Sequence, residues 1–217
     1  MFKNQLFVNN LMGENCYVLS DSTREAVIID CGCFSKDDFQ PIAQYISSEQ
    51  LKPVHLLCTH FHFDHIVGNQ YAAEAYGILP EGSSLEEEIY NNVPLQIQYF
   101  LGTNDIEFRK LPLSRQLEHD NEVMFGNHVL RVIHTPGHSK GGLCFYCKEE
   151  NMLWSGDTLF QGSIGRTDLW GGDFKQLTDN IRTRLWALPD NTKVFPGHGP
   201  STTIGYEKAY NPYISRD

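Results

Sequence analysis

The sequence predicts an α/β protein in which two sheets pack face to face and helices cover their outer faces. Three observations support this prediction: short apolar strands come first, strands and helices then alternate, and the pattern occurs in two halves of the chain. With 217 residues, of which 41% are hydrophobic, the chain can bury one sizeable core. We therefore expect a single domain over residues 1–217.

The first half of the chain combines short apolar runs with segments of helical spacing. A buried strand is typically a continuous apolar run, whereas a helix repeats its apolar residues every three or four positions and begins at a residue such as serine. Strands are predicted at 15–21, 25–32 and 53–59, and helices at 35–50, 67–77 and 83–102, the last interrupted at Pro94.

The second half repeats this alternation. Turn signals such as KEEN separate its apolar runs, and an aspartate begins its longest amphipathic segment. Strands are predicted at 122–135, 141–150, 151–157 and 192–199, and helices at 173–188 and 202–214.

The charge balance excludes some classes of partner. Asp and Glu number 27 against 17 Lys and Arg, a net charge of −10, which disfavours binding to the phosphate backbone of nucleic acids. No apolar run approaches the ~18–20 residues that span a membrane, and the N-terminus lacks the basic-then-apolar pattern of an export signal. We therefore expect a cytoplasmic protein without nucleic-acid or membrane partners; its oligomeric state stays open.

The cysteines are expected to be reduced. A chain of this length without an export signal favours free thiols over disulfides. The pair in CFYC lies on a predicted strand, where positions three apart point to opposite faces. The six are Cys16, Cys31, Cys33, Cys58, Cys144 and Cys147.

The stretch THFHFDH places three histidines and an aspartate directly after a predicted strand. His60 and His62 are two residues apart, so an extended backbone points both imidazoles to the same side, whereas a helix would separate them. Asp64 and His65 begin the next helix and can serve a neighbouring point. Neutral imidazole is the commonest metal ligand in proteins, and carboxylate suits a second cation.

Three later loops each carry a further histidine or aspartate beside a glycine, which lets the backbone bend closely around an ion. These residues are His138 in TPGHS, Asp157 in SGDTLF and His198 in PGHGP. Together with residues 60–65 they predict a metal centre. The remaining histidines, His55, His119, His128 and His134, are expected to be structural or surface residues.

These motifs, in this order, resemble the metallo-β-lactamase fold superfamily, and in particular its glyoxalase II-like hydrolases of the short hydroxyacylglutathione hydrolase form. The segments GSIGRTDLWGGD (162–173) and TTIGYEKAYNP (202–212) strengthen the match, which runs from about Gln5 to Asn211. The resemblance implies a four-layer αββα sandwich with its site at one edge. Classical glyoxalase II adds a C-terminal helical domain, whereas only 19 residues follow His198 here.

The resemblance also implies a ligand set for two divalent metal ions, with zinc expected and iron or manganese as alternatives. Asp30, which ends the strand VIID, matches an aspartate near the metal ligands of the family. It either bonds to a ligand histidine or simply forms the turn. The implied ligands are His60, His62 and His138 for one ion, Asp64, His65 and His198 for the other, and Asp157 as the bridge.

Such a site predicts a metal-dependent hydrolase. A water held between two cations about 3.5–4 Å apart loses a proton readily, and the resulting metal-bridging hydroxide attacks the carbonyl carbon of a thioester. Asp64 is expected to act catalytically by orienting this hydroxide and accepting a proton. The expected partner is a small-molecule thioester of the hydroxyacylglutathione type.

Substrate contacts are predicted at Lys140, Arg166 and Phe160. Arg166 can instead pair with Asp168 to hold its loop. Aromatic side chains in the helical segment 83–101, among them Tyr99 and Phe100, can line a pocket or pack in the core. This segment is a candidate cap over the site or an oligomer contact.

Other activities on the same fold remain alternatives. A persulfide dioxygenase uses one iron held by two histidines and a carboxylate, and its usual CGRTD motif is SIGRTD here. A lactonase would share the two-metal site. The secreted β-lactamases are disfavoured because Asp157 stands where they have a cysteine ligand, and nucleases are disfavoured by the acidic charge. A non-enzymatic metal-binding domain is the remaining class.

Overall fold

Two six-stranded sheets form the centre of residues 1–214, the part of the chain that the computed structural model describes. The first sheet consists of β1 (Lys3–Asn9), β2 (Glu14–Ser20), β3 (Glu25–Ile29), β4 (Lys52–Leu57), β5 (Pro80–Gly82) and β6 (Arg115–Gln116). These strands follow one another in chain order; the pairs from β1 to β3 are antiparallel and those from β3 to β6 are parallel.

The second sheet is built from the later part of the chain. It consists of β7 (Glu122–Phe125), β8 (His128–His134), β9 (Leu143–Cys147), β10 (Met152–Gly156), β13 (Lys193–Pro196) and β14 (Thr202–Thr203). The order is β14-β13-β10-β9-β8-β7, with one parallel pair between β10 and β13. A small hairpin, β11 (Leu159–Phe160) and β12 (Ser163–Ile164), follows β10.

Helices cover the outer faces and connect the strands. The helices are α1 (Lys36–Ser48), α2 (Phe63–Ile66), α3 (Asn69–Tyr76), α4 (Glu87–Asn91), α5 (Val93–Leu101), α6 (Phe174–Asn180) and α7 (Ile204–Tyr210). A 3₁₀ turn, Ser84–Glu86, leads into α4, and a π-helical turn, Ile181–Leu185, extends α6. Ser35 caps α1 through a capping box with Asp38, as its serine start predicts.

Strand β2 shows why the layers form. Tyr17 and Leu19 point into the core between the two sheets, where Trp154 of β10 is buried. The alternate residues Cys16 and Val18 pack in the outer cluster that includes helix α1. A third cluster buries α6 and α7 against the outside of the second sheet. Because each sheet has one face on its partner and the other on helices, the molecule is the αββα sandwich that the resemblance implies.

Several local predictions were wrong. The edge strand β1 was not predicted, and 122–135 is a hairpin that turns at Gly126 rather than a single strand. The helical segment breaks at Asn92, whereas Pro94 lies in the first turn of α5, where its missing N–H costs little. The last three residues of the predicted domain, 215–217, lie outside the described residues.

All six cysteines are buried free thiols. Cys144 packs in the cluster with α6 and α7, and Cys147 in the core between the sheets, so the two point to opposite faces as expected. Nowhere in residues 1–214 is a helix long and apolar enough to cross a membrane.

A partly buried ion pair between neighbouring strands β4 and β5 predicts a pH-dependent stability. His55 bonds to Glu81 through Nδ1 and to the Met124 carbonyl through Nε2. Burial opposes charge on His55, but the bond and charge of Glu81 outweigh burial and raise the pKa of His55. A raised pKa stabilises the fold below the unfolded value of about 6.5, and this contribution is lost as pH rises through the folded pKa.

We therefore expect Glu81→Gln to lower the free energy of unfolding by about 1.5–3 kcal/mol at acidic pH, and by less above the pKa of His55. Urea unfolding at a series of pH values measures this difference. Subtracting the variant from the parent protein cancels the titration of other histidines. Parallel stability curves for the two proteins would contradict the prediction.

Candidate metal centre

The loop after β4 alternates between two environments. His60 and His62 face the site, whereas Phe61 and Phe63 pack in the cluster beneath the helical segment. His62 is extended, with φ −65° and ψ 146°, and it immediately precedes the short helix α2. The period of two along an extended backbone therefore explains the spacing HFHF: histidines go to one side and phenylalanines to the other.

Three buried histidines meet at one end of the site. His138 Nε2 lies 3.3 Å from His60 Nε2 and 2.9 Å from His62 Nδ1. The three candidate ligand atoms all lie within 4.8 Å of one another. His138 comes from the loop between β8 and β9, so the structure brings together residues 78 positions apart in the chain.

A second group lies directly beside the first. Asp64 and His65 enter it from α2, and His198 enters from the loop after β13. His65 Nε2 lies 3.2 Å from His198 Nε2, which lies 3.3 Å from Asp64 Oδ2. These ligand atoms also lie within 4.8 Å of one another.

Asp157 lies between the two groups. Its Oδ1 is 3.5 Å from His65 Nε2, while its Oδ2 is 3.6 Å from His138 Nε2 and 3.8 Å from His198 Nε2. Gly197 makes this approach possible, since a Cβ at that position would lie 2.3 Å from Asp157 Oδ1. One carboxylate therefore faces both groups at once.

Backbone carbonyls orient two of the histidines. His138 Nδ1 donates to the carbonyl of Arg166 at 2.7 Å, and His198 Nδ1 donates to the carbonyl of Met12 at 3.2 Å. A carbonyl can only accept, so Nδ1 of each ring carries a proton. Nε2 is then the nitrogen that faces the site, which is the orientation of a metal-ligating histidine.

Asp30 orients two further histidines, His65 directly and His60 through Thr59. Its carboxylate accepts from the backbone N–H and the hydroxyl of Thr59, both at 2.7 Å, and from His65 Nδ1 at 3.0 Å. Since the Thr59 hydroxyl donates to Asp30, it is free to accept from His60 Nδ1 at 3.0 Å. These contacts occupy Nδ1 of both His60 and His65, so Nε2 is the nitrogen of each ring that faces the site.

The electrostatics differ between the two ends of the site: burial keeps one pair of histidines neutral, and carboxylates gather negative charge around another histidine. Burial lowers the pKa of His60 and of His62 well below the ordinary value, so both rings are neutral. Burial would raise the pKa of Asp64, but the nearby His65 and His198 outweigh it and hold the pKa below its usual range. Burial opposes charge on His65, yet Asp157, Asp64 and Asp30 raise its pKa, which marks a surplus of negative charge around this ring.

The donor set fits divalent cations. Asp157 Oδ1 is buried without a hydrogen-bond partner, and ring nitrogens of facing histidines lie only 2.9–3.3 Å apart. Buried polar atoms of this kind need a partner, and a cation supplies one for all of them together. Imidazole and carboxylate are ligands of zinc, iron and manganese alike, so the geometry fits the class of ion rather than one element.

A cavity of about 420 Å³ opens onto these residues. Of the predicted substrate contacts, Arg166 and Phe160 line it, and Arg166 is held by two bonds of 2.8 Å to Asp168. Lys140 is not among the lining residues; its Nζ lies 2.8 Å from Glu88.

The rest of the cavity wall is largely apolar. Phe100 of α5 belongs to it, whereas Tyr99 is 70% exposed and packs on Trp170. The lining residues that the sequence did not predict are Met12, Phe63, Ile164 and Leu169. Ile164 and Leu169 lie in the segment 162–173 that carried the resemblance, whereas Met12 had no recognisable signal.

Comparison with known proteins agrees with this geometry. The family model described as the metallo-beta-lactamase superfamily matches residues 10–198. Hydroxyacylglutathione hydrolase GloC of Haemophilus influenzae is 34% identical over 204 residues, covering 93% of this chain and 93% of that protein.

Two solved structures extend the comparison. BLEG-1 B3 metallo-beta-lactamase superposes with a TM-score of 0.89 at 36% identity and covers 100% of both chains. TTHA1623 in a di-iron-bound form superposes with a TM-score of 0.86 at 35% identity, covering 97% of this chain and 100% of that one. The predicted fold is confirmed, and the chain belongs to the metallo-beta-lactamase superfamily as one of its metal-dependent hydrolases.

Proposed function

We propose that the protein hydrolyses thioesters, of the hydroxyacylglutathione type, with two divalent metal ions. The observation that carries the proposal is the position of Asp157, whose two oxygens face two complete groups of ligands. Asp64, His65 and His198 would hold one ion and the three other histidines the second. The similarity to GloC supports the substrate class, and the di-iron form of TTHA1623 supports a two-metal site.

Bound ions would supply Lewis acidity, which polarises a carbonyl and lowers the pKa of a water. The chain supplies positioning and proton transfer. Asp64 lines the cavity, where its carboxylate can orient the attacking water and accept its proton. The water oxygen bonds to the carbonyl carbon, the carbon–sulfur bond breaks, and the departing sulfur takes up a proton. Phe160 and Ile164 present apolar surface that excludes other water from the acyl group.

A second candidate is β-lactam hydrolysis, which the 36% identity to BLEG-1 favours. An amide carbonyl in a strained ring can occupy the same position as a thioester carbonyl. The two activities differ in what leaves the carbonyl carbon: a thiolate in one case and a ring nitrogen in the other.

The zinc-loaded protein is expected to release free thiol from S-lactoylglutathione with kcat/KM of about 10⁴ M⁻¹s⁻¹ or more. A chromogenic thiol reagent follows the reaction, with metal-free protein as the control, and a panel of other acyl thioesters and a cephalosporin run in parallel. Turnover of the cephalosporin alone would replace the proposal with the second candidate. Oxygen consumption with glutathione persulfide by iron-loaded protein, without thioester turnover, would assign the chain to the dioxygenases.

A further inference from the structure

The backbone of the ligand loop has an unusual set of hydrogen-bond partners. The backbone N–H groups of residues 59, 61 and 63 each donate to a buried side chain. These residues alternate with the proposed ligands at 60, 62 and 64. Asp30 accepts the first. The other two acceptors are Glu86, which takes the N–H of Phe61 at 3.0 Å, and Gln96, which takes the N–H of Phe63 at 3.1 Å.

Glu86 connects two ligand loops. Its side chain is fully buried, and its second oxygen accepts from the backbone N–H of Gly141. Gly141 is three residues beyond His138, and a Cβ there would lie 2.8 Å from both Glu86 and Ser83. One carboxylate therefore joins the loop of His60 and His62 to the loop of His138.

Gln96 connects the same loop to both helices of the segment 83–101. Its side chain is 1% exposed; Oε1 accepts from Phe63, and Nε2 donates to the carbonyl of Ile89 at 2.8 Å. Phe63 also stacks on Phe100 of α5, with ring centroids 5.6 Å apart. The backbone at the start of α2, which carries Asp64 and His65, is thus fixed by α5.

We propose that Glu86 and Gln96 are positioning residues that hold the metal-ligand loop, residues 59–65, in its binding geometry. The segment 83–101 thereby restrains the backbone of this loop. A buried polar side chain that was only structural could satisfy any nearby donor. These two instead bond to the N–H groups on either side of His62. Like the partners that orient metal ligands directly, they are expected to raise metal affinity by restricting the ligands to one arrangement.

This inference concerns metal affinity and does not depend on which ester is cleaved. We expect Gln96→Met and Glu86→Gln each to weaken binding of Zn²⁺ about 10–100-fold, measured on the full chain by competition with a chromophoric chelator. The absorption spectrum of the Co²⁺-loaded variants should also change, because it reports ligand geometry. Gln96→Glu, which keeps an acceptor for the Phe63 N–H, should recover part of the affinity that Gln96→Met loses.

Tyr90→Phe is the matched control. The Tyr90 hydroxyl donates to the carbonyl of Leu111 and accepts from its N–H, so its loss weakens the attachment of α4. Phenylalanine keeps the ring that packs on Phe61 of the ligand loop, with centroids 4.6 Å apart. The control is expected to lower Tm by about 2–4 °C and to leave Zn²⁺ affinity and the Co²⁺ spectrum unchanged. If Gln96→Met and Glu86→Gln behave like Tyr90→Phe, with lower Tm but native metal affinity, the proposal is wrong. A failure of thioester hydrolysis alone leaves these binding measurements unaffected.

Discussion

Replacing Asp157 with alanine is expected to remove bound metal and activity together. The carboxylate lies 3.5–3.8 Å from histidine nitrogens of both groups, so its loss would deprive each of the two proposed ions of a ligand. We expect kcat/KM to fall roughly a thousandfold, because losing Lewis-acid catalysis would raise the activation free energy by about 4 kcal/mol. Elemental analysis after gel filtration should find fewer than two metal ions per chain.

Asp190→Ala provides the control for this experiment. Asp190 is an exposed aspartate that pairs with Lys208, and its removal should change neither metal content nor kcat/KM. Asp157→Asn, which keeps the volume and one acceptor oxygen, should fall between the alanine variant and the parent protein. Two tightly bound ions in Asp157→Ala would contradict the bridging role.

Loss of Asp30 is expected to have the largest effect on stability. Its buried carboxylate accepts three hydrogen bonds, from Thr59 and His65. Removing it leaves a buried N–H unpaired, and breaking buried charge-assisted contacts of this kind costs about 3–5 kcal/mol. Urea unfolding of metal-free Asp30→Ala and of the metal-free parent protein measures the difference.

The backbone at Asp30 has φ 50°, a conformation that alanine adopts poorly and asparagine tolerates. Asp30→Asn therefore separates the two causes. It should retain much of the stability but bind zinc about 10–100-fold more weakly, because its amide no longer orients His65. Native zinc affinity in Asp30→Asn would show that Asp30 serves the turn rather than the metal centre.

The sequence predicted the layers and the ligand loop because both follow from local periodicity. His60 and His62 repeat every two residues after a buried strand, and this spacing is sufficient to place both rings on one side. The alternation of Tyr17 and Leu19 with Cys16 likewise determines which face of β2 enters the core. The division of the ligands between two ions came from the resemblance, since spacing alone does not reveal which distant loops meet.

Features that depend on distant partners were not predictable. Glu86 and Gln96 look like ordinary polar residues of an amphipathic helix, and only the tertiary structure shows that they bond to the backbone around His62. Strand β1 was missed for a similar reason. Its apolar residues, such as Leu6 and Val8, are largely exposed at the sheet edge, so the strand lacks the pattern of a buried one. The turn at Gly126, by contrast, has a local signal, the dipeptide Gly126-Asn127 between two apolar runs.

The most direct test of the metal centre is anomalous diffraction at the zinc absorption edge from crystals of the zinc-loaded protein. We expect two peaks about 3.5–4 Å apart, one contacting His60, His62 and His138 and the other contacting Asp64, His65 and His198, with Asp157 touching both. A single peak, or peaks remote from Asp157, would contradict the two-ion site.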